Sequence, residues 1–498
     1  MTEPCDLTAV EARRLIGAKK LSPVELLESC LARIEAVNPA VNAMVAMDTD
    51  RARTAAKQAE AAVTRAEALP ALHGLPIGIK DLEETKGLRT TWGSPLFADH
   101  VPTRDEAMVA NLRAAGAIVI GKTNTPEFGA GANTRNTVYG ATGNPFDPTK
   151  SAAGSSGGSA VALACGMAPI CSGSDTGGSL RNPAAFNGIV GYRPSPGLVP
   201  AERRGLGWSN LPVLGPMART AEDAALLLSA MADDDGLDPL AYTLHGRAVR
   251  KGDRDLFPPM RVDLASLRVA ATPDFGFTPT ETHIREVFAD RVAKLEPLFG
   301  RVAQATPDCR GTDEAFEVLR AASFLSSHLE KCRKTPDLVG PNVRANVEEG
   351  LRYTLEDYSR AATEQTRLYR GWQRFFADHD VIVTPAITIS PRSWRELYPA
   401  EIDGQATRTY YHWLALAYAV TLVGHPAISI PLGKDRAGMP FGLQIVGPRG
   451  GDALVMAVAA AIEAAVAGDA ELARPVPDIA ALKKAPPISG MPEFRTWG

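Results

Sequence analysis

Apolar and polar positions in the first part of the chain alternate with the period of amphipathic helices, over about residues 7–68. Thr8 has the character of a helix N-cap. Ser22 has it too, because Pro23 would stand at the first helical position and Glu25 in the first turn. The pattern therefore predicts an N-terminal helical segment of two or three helices.

Beyond residue 70 the pattern changes to short apolar runs rich in β-branched residues, separated by helix-like stretches. The predicted strands cover residues 75–79, 117–120, 188–191, 267–271, 381–383, 427–430 and 441–446. Such alternation predicts an α/β fold around a large buried sheet. We expect one domain over residues 1–498, with a core at about 70–230, a surface excursion at 233–263 and a helical insertion at about 281–370.

Composition excludes several classes of protein. Apolar residues make up 45% of the chain and charged residues 22%, as in ordinary globular enzymes. A net charge of -4 argues against nucleic acid as a partner. The six cysteines are scattered, which predicts neither a disulfide framework nor a metal site, and no cofactor is expected. Without a signal-peptide pattern or a long apolar run, we expect a cytoplasmic protein that does not enter a membrane.

Residues 116–123 match the phosphate-loop pattern of nucleotide-binding proteins. The four central residues of the match are apolar and mostly β-branched, which favours a buried strand over a loop curled around an anion. Pro126 follows where the phosphate-binding helix would already be running. We interpret the segment as a strand that ends in an exposed Lys122.

Residues 154–158 match G-x-S-x-G, the nucleophile elbow of α/β-hydrolases, with Ser156 at its centre. An elbow follows a strand, whereas residues 144–150 have the composition of a turn-rich loop. His425 is the only late histidine placed to follow an acid in chain order, and the other downstream candidates, His412 and His379, have no compelling setting. The elbow interpretation is therefore disfavoured.

A third constellation combines Lys80 with two glycine-flanked serine loops, residues 153–159 and 173–179. Lys80 ends a predicted apolar strand, where loss of solvation disfavours its ammonium form. Glycines let a backbone approach a ligand closely, so each loop can present a serine surrounded by free N–H groups. A lysine base could replace the missing histidine.

With Lys80 and the two serine loops, the chain resembles the amidase signature family of Ser–cis-Ser–Lys hydrolases. The matching motifs lie at residues 74–81, 121–124, 126–128, 143–147, 153–159, 173–184, 188–194, 215–220, 383–385, 424–427 and 442–444. The chain departs from the family pattern at Ala153 and Arg193, where glycine and lysine are more common. The resemblance implies a central mixed sheet flanked by helices on both faces.

The resemblance also implies roles for individual residues. Ser179 corresponds to the nucleophile, Ser155 to a proton relay that follows a cis peptide bond, and Lys80 to the general base. Ser156 then has a structural role. Oxyanion donors are expected from the amides of Thr176, Gly177, Gly178 and Ser179.

Three charged residues near these motifs receive structural roles. We expect Asp81 to point away from Lys80 and, like Asp175, to bind backbone N–H groups at a turn. Arg181 is expected to be structural as well.

The implied activity is hydrolysis of a linear amide to a carboxylic acid and an amine or ammonia. Alternatives are a carbamate or ester hydrolase and the glutaminase subunit of a tRNA-dependent amidotransferase. The Asp-Gln pair typical of that subunit is absent before Gly215, where Pro212–Leu214 stands. A non-enzymatic binding scaffold is disfavoured because Lys80, Ser155 and Ser179 are all present.

Substrate contacts are predicted from position alone. Gly129, Ala130, Gly131 and Asn133 lie just before the serine loops and could line an acyl pocket or form a packed turn. The aromatic candidates for a pocket wall, which equally fit a core, are Trp208, Trp394, Trp413, Tyr410 and Tyr411. The expected partner is a small amide substrate, and a homodimer stays open.

Overall fold

The computed structural model describes residues 3–233, 236–241, 243–244, 247–248 and 256–497. Eleven strands from residues 44 to 446 form one sheet. In chain order they are β1 (Met44–Met47), β2 (Pro76–Lys80), β3 (Ile118–Thr123), β4 (Ile170–Asp175), β5 (Val190–Arg193), β6 (Val213–Ala218), β7 (Arg268–Ala271), β8 (Arg301–Gln304), β9 (Val381–Pro385), β10 (Ala427–Lys434) and β11 (Pro440–Val446).

The spatial order of the strands is β1-β3-β2-β4-β6-β5-β10-β11-β9-β7-β8. Strand β2 pairs in parallel with β3 and β4, and β7 pairs in parallel with β8 and β9. The remaining neighbours are antiparallel. The mixed sheet expected from the resemblance is confirmed.

Helices cover the sheet, and two buried apolar clusters lie on its opposite sides. Successive residues of β3 divide between the clusters: Val119 belongs to one, and Ile118 and Ile120 to the other. The helices are α1 (Ala9–Gly17), α2 (Pro23–Val41), α3 (Thr49–Thr64), α4 (Ala107–Ala114), α5 (Gly157–Ala164), α6 (Arg181–Asn187), α7 (Ala221–Met231), α8 (Thr282–Leu295), α9 (Thr312–Lys334), α10 (Pro341–Gly350), α11 (Leu355–Phe375), α12 (Ala415–Val423), α13 (Asp452–Val466) and α14 (Ile479–Leu482). Burial on both faces explains why the central strands are apolar runs.

The predicted helix starts at the N-terminus are confirmed. Thr8 accepts a hydrogen bond from the Glu11 amide at the start of α1, and Ser22 with Glu25 forms a capping box on α2. The helical prediction for residues 7–68 is wrong in one place. Strand β1 lies between α2 and α3, because its four residues pair with β3 in the sheet.

Two other predicted boundaries change. The strand predicted at residues 188–191 is observed at Val190–Arg193, because Gly188 ends α6 in the left-handed conformation at φ 64°. The predicted surface excursion at 233–263 lies in large part outside the described residues, at 234–235, 242, 245–246 and 249–255. The insertion at 281–370 is mainly helical, as predicted, and also contains β8.

Candidate active site

Two parallel strands bring the predicted catalytic residues to one edge of the sheet. Lys80 is the last residue of β2, and Asp175 is the last residue of its parallel neighbour β4. Residues after the carboxyl ends of parallel neighbours share an edge, so Lys80 meets the loop that carries Ser179. The helix α5 begins at this edge as well, with Ser156 as its N-cap residue.

The Lys80 amine is enclosed by three serine hydroxyls. Its Nζ lies 2.7 Å from Ser155 Oγ, 2.8 Å from Ser156 Oγ and 2.9 Å from Ser174 Oγ. Lys80 is 0% exposed. Burial lowers the pKa of its amine to about 7, while the charges of Glu83 and Asp175 act in the opposite direction. A substantial fraction of the amine is therefore neutral at pH 7.

Ser155 follows a cis Gly154–Ser155 peptide bond, as expected from the resemblance. Its side chain is 2% exposed and lies beside Gly129. A Cβ atom added to Gly129, which has φ 71°, would stand 3.4 Å from Ser155 Oγ. Glycine at this position therefore leaves the space next to the hydroxyl open.

Ser179 lies in the turn between β4 and α6 and is half-buried. Its carbonyl oxygen accepts a hydrogen bond from the Ser156 amide at 3.2 Å. This bond joins the two serine loops that the sequence singles out. Ser156, for which a structural role was predicted, also places its hydroxyl in contact with the Lys80 amine, which was not predicted.

The four predicted oxyanion donors do not have equal access to a ligand. The Gly178 amide donates to Asp175 Oδ1 at 3.0 Å, so it is occupied. The amides of Thr176, Gly177 and Ser179 make no hydrogen bond to any described part of the chain. A group of free N–H donors therefore stands at the turn that carries Ser179.

Asp175 anchors that turn, as predicted. Its carboxylate accepts from the Gly178 and Leu180 amides and forms ion pairs with Arg181 and Arg193, at 2.9 and 3.3 Å. The side chains of Asp175, Arg181 and Arg193 are all 0% exposed. Burial alone would raise the pKa of Asp175, but the two guanidinium groups and the amide donors outweigh it and hold that pKa below its usual value.

Asp81 points away from Lys80, also as predicted. It accepts from the Thr91 amide at 3.1 Å and from the Thr91 hydroxyl at 2.6 Å. The segment 116–123 contains a strand and not a phosphate loop, yet Lys122 is 0% exposed, so the prediction of an exposed lysine is wrong. Its amine donates to the Glu83 carbonyl oxygen and to the Thr85 hydroxyl, which replace water as partners.

Within the described ranges, no histidine forms a hydrogen bond to the serine loops. The His425 ring is buried against Trp372 and Phe376, and its Nδ1 lies 2.9 Å from the Gly447 carbonyl oxygen. The segment before the elbow match is not the loop predicted from its composition. Asp147–Ser151 pairs with Gly143–Asn144 as a small hairpin outside the main sheet.

A cavity of about 280 Å³ opens beside the predicted catalytic residues and is lined by their neighbours Ser174 and Thr176. Its walls combine polar residues of the site with aromatic residues: Glu83, Phe128, Ser174, Thr176, Phe324 and His328. The His328 ring centroid lies 4.7 Å from that of Phe128. Burial, with Lys331 and Arg320 nearby, lowers the pKa of His328 to about 3, so its ring is neutral at pH 7.

The aromatic residues proposed from sequence do not line this cavity. Trp394 and Trp413 are buried in apolar clusters, and Trp208 is 80% exposed. Tyr410 and Tyr411 line a different cavity. Phe324 and His328 were missed because nothing in the local pattern distinguishes a pocket wall on α9 from a helix face packed in the core. Phe128 lies in the short turn Glu127–Gly129 and was also missed as a wall residue.

The predicted substrate loop at residues 129–133 has mixed contacts. Gly129 faces Ser155. The Asn133 side chain points elsewhere, and its Nδ2 donates to the carbonyl oxygens of Trp394 and Glu396, at 2.7 and 2.8 Å. The Ala130 carbonyl oxygen accepts from Asn342. Of the four predicted residues, Gly129 therefore lies closest to the proposed chemistry.

One group of potential metal ligands occurs in the described part of the chain: Glu3, Cys5 and Asp6. Both carboxylates bind the Arg33 guanidinium, which accounts for their positions without an ion. Among the residues that the structure describes, no helix combines the length and the apolarity needed to cross a membrane.

Comparison with known proteins assigns the chain to a family. Residues 25–456 match the Amidase family model. The chain is 34% identical over 469 residues to an acylamidase of Rhodococcus erythropolis, covering 92% of this chain and 95% of the relative. It is also 34% identical over 479 residues to a glutamyl-tRNA(Gln) amidotransferase subunit from a Picosynechococcus species, covering 90% and 96%.

The fold agrees with that assignment. The crystal structure of a bacterial aryl acylamidase of the amidase signature family superposes with a TM-score of 0.84 at 24% identity, over 98% of this chain and 99% of that one. At that identity the likeness concerns the fold alone. Taken with the family match, these findings show that the chain is an amide-hydrolysing enzyme of the amidase signature family.

Proposed function

We propose that the protein is a stand-alone hydrolase of linear amides that works through an acyl-enzyme on Ser179. Ser155 is the proton relay and Lys80 the general base. One observation carries the proposal: a fully buried lysine amine whose contacts within hydrogen-bonding distance are all neutral hydroxyls. A lysine surrounded in this way loses its proton near neutral pH and can accept one from a serine.

The proposed reaction begins with the neutral Lys80 amine, which takes a proton from Ser155. Ser155 takes a proton from Ser179, and Ser179 Oγ attacks the amide carbonyl. The free amides of Thr176, Gly177 and Ser179 are the donors available to the oxyanion that forms. Ser155 then returns a proton to the departing nitrogen, which allows the poor amine leaving group to depart. Water hydrolyses the acyl-enzyme through the same groups in reverse.

The cavity beside the site suggests the kind of substrate. Phe128, Phe324 and His328 surround space sufficient for a ring or a short apolar chain. A neutral imidazole adds one hydrogen-bonding position to that wall without a charge. We therefore favour an acylamide with an apolar or aromatic group over a free amino acid amide.

The relatives also include amidotransferase subunits, one of them at the same identity as the acylamidase, so a glutaminase subunit is the second candidate. Ammonia release from glutamine and aniline release from an acyl anilide are measured with the purified chain alone. Hydrolysis of the anilide without glutaminase activity supports the stand-alone enzyme. Glutamine hydrolysis that requires added partner subunits would favour the second candidate.

A fluorophosphonate probe tests the nucleophile without knowledge of the substrate. Mass spectrometry is expected to find the adduct on Ser179, and Ser179→Ala is expected to abolish labelling. Ser229→Ala on α7 is the matched control and should label as the parent protein does. An adduct on Ser156 would contradict the proposed mechanism.

A further inference from the structure

A buried carboxylate near the base has no role in the reaction described above. Glu83 is 1% exposed and stands three residues after Lys80. Its Oε1 atom has no hydrogen-bond partner among the described residues. A buried acceptor left unpaired is costly, so its presence beside the reacting groups calls for a reason.

Glu83 is joined to the Lys80 backbone through one hydroxyl. The Lys80 amide donates to Ser172 Oγ at 3.0 Å. The Ser172 hydroxyl must then use its own hydrogen for Glu83 Oε2, 2.5 Å away. An O–H···O distance this short is typical of a hydrogen bond to an ionised carboxylate.

A second buried lysine, Lys122, lies near Glu83. The Lys122 amine, on β3, donates to the Glu83 carbonyl oxygen. Burial raises the pKa of the Glu83 carboxyl, and the Lys122 charge and the Ser172 bond act against that effect. The Glu83 carboxyl group therefore lies near two buried lysines, Lys122 and the proposed base Lys80.

The other charged groups near Lys80 are already balanced or point elsewhere. Asp175 at the end of β4 is neutralised by Arg181 and Arg193, and Asp81 binds Thr91. Glu106, near Glu83, has its pKa raised to about 8, chiefly by burial and by the Glu83 charge. Among the described residues, Glu83 is therefore a nearby acidic side chain that binds a hydroxyl and pairs with no guanidinium.

We propose that Glu83 is a positioning residue whose negative charge sets how readily the Lys80 amine holds a proton, and whose bond to Ser172 fixes the backbone from which that amine projects. The inference rests on the proposed role of Lys80 as base. Burial alone would make the amine too weak a base to take a proton from serine. The Glu83 carboxylate offsets part of the loss of basicity that burial causes in the Lys80 amine.

The test is the pH dependence of fluorophosphonate labelling of Ser179, which needs no known substrate. In the parent protein we expect the labelling rate to decrease as the pH drops below about 7, because Lys80 gains a proton. This decrease is the acid limb of the pH profile. Glu83→Gln and Glu83→Leu, two neutral side chains of different shape, should each move this acid limb to lower pH by about one unit. Glu463→Gln, on α13 and bound to the Ala221 amide, is the matched control and should leave the limb in place.

The outcomes separate this inference from the proposed function. A limb that stays in place in a folded Glu83 variant would overturn the role of the Glu83 charge. If Lys80→Met retains the same pH-dependent labelling as the parent, Lys80 is not the base and the proposed function itself fails. Thermal unfolding of each variant shows whether it folds, and the two replacements differ enough in shape that one is expected to remain measurable.

Discussion

Two buried charged clusters lie next to one another at the same edge of the sheet and are held in opposite ways. Asp175 is enclosed by two guanidinium groups, so its charge is matched and the turn after β4 is fixed. Lys80 is equally buried, but its amine contacts three hydroxyls and no carboxylate among the described residues. A buried charge with strong partners stays charged, whereas one without them shifts its protonation and becomes reactive.

The largest expected effect comes from Lys80, whose buried amine has hydroxyl partners and no charged partner among the described residues. Lys80→Met removes the proposed base, so turnover of an anilide should fall by on the order of 10³-fold to 10⁴-fold. Stability should be unchanged or higher, because a buried amine is replaced by an apolar chain of similar length. Steady-state kinetics and thermal unfolding measure the two effects. Substantial destabilisation would contradict the idea that this amine has little structural value.

Substitution of Asp175, whose charge is paired with two arginines, should instead lower stability. Asp175→Asn leaves two buried guanidinium groups without a counter-charge, so the free energy of unfolding should fall by about 3–5 kcal/mol. Urea unfolding measures the change. Asp308→Asn is the control, since its pairs with Arg310 and Arg367 lie near the surface and should contribute less than about 1 kcal/mol. Equal losses of unfolding free energy in the Asp175 and Asp308 variants would contradict the larger value assigned to the buried ion pairs.

The smallest effect is expected from a change among the three serine hydroxyls around Lys80. Ser174→Ala deletes one of three contacts and leaves the proposed relay Ser155 in place. The value of kcat/KM should therefore fall only about 2-fold to 5-fold, as for one neutral hydrogen bond. A loss above about 100-fold would place Ser174 on the proton path.

Sequence patterns predict the central strands well where both faces are apolar, as for β3 and β11. They miss β4, since its residues Cys171 to Asp175 are small and polar and lack the β-branched character of a strand. That composition is what places Ser172 and Ser174 around Lys80. Strand β4, which contributes two of the serines around Lys80, is therefore one that periodicity does not reveal.

The catalytic residues could be proposed from sequence because the family motifs are local, whereas their partners come from distant segments. Lys80 and Ser155 stand in short motifs that a reader can recognise. The burial of Lys122 and the unpaired oxygen of Glu83 depend on how β2, β3 and β4 pack together. Periodicity alone cannot specify such contacts.

The cavity wall has a consequence for engineering this enzyme. Phe324 and His328 belong to α9, a helix of 23 residues outside the sheet, while Lys80, Ser155 and Ser179 lie on β2 and the two serine loops. Part of the cavity wall is thus encoded apart from the proposed catalytic residues. A library confined to the cavity side of α9 can therefore vary the proposed acyl pocket while the proposed catalytic residues stay constant.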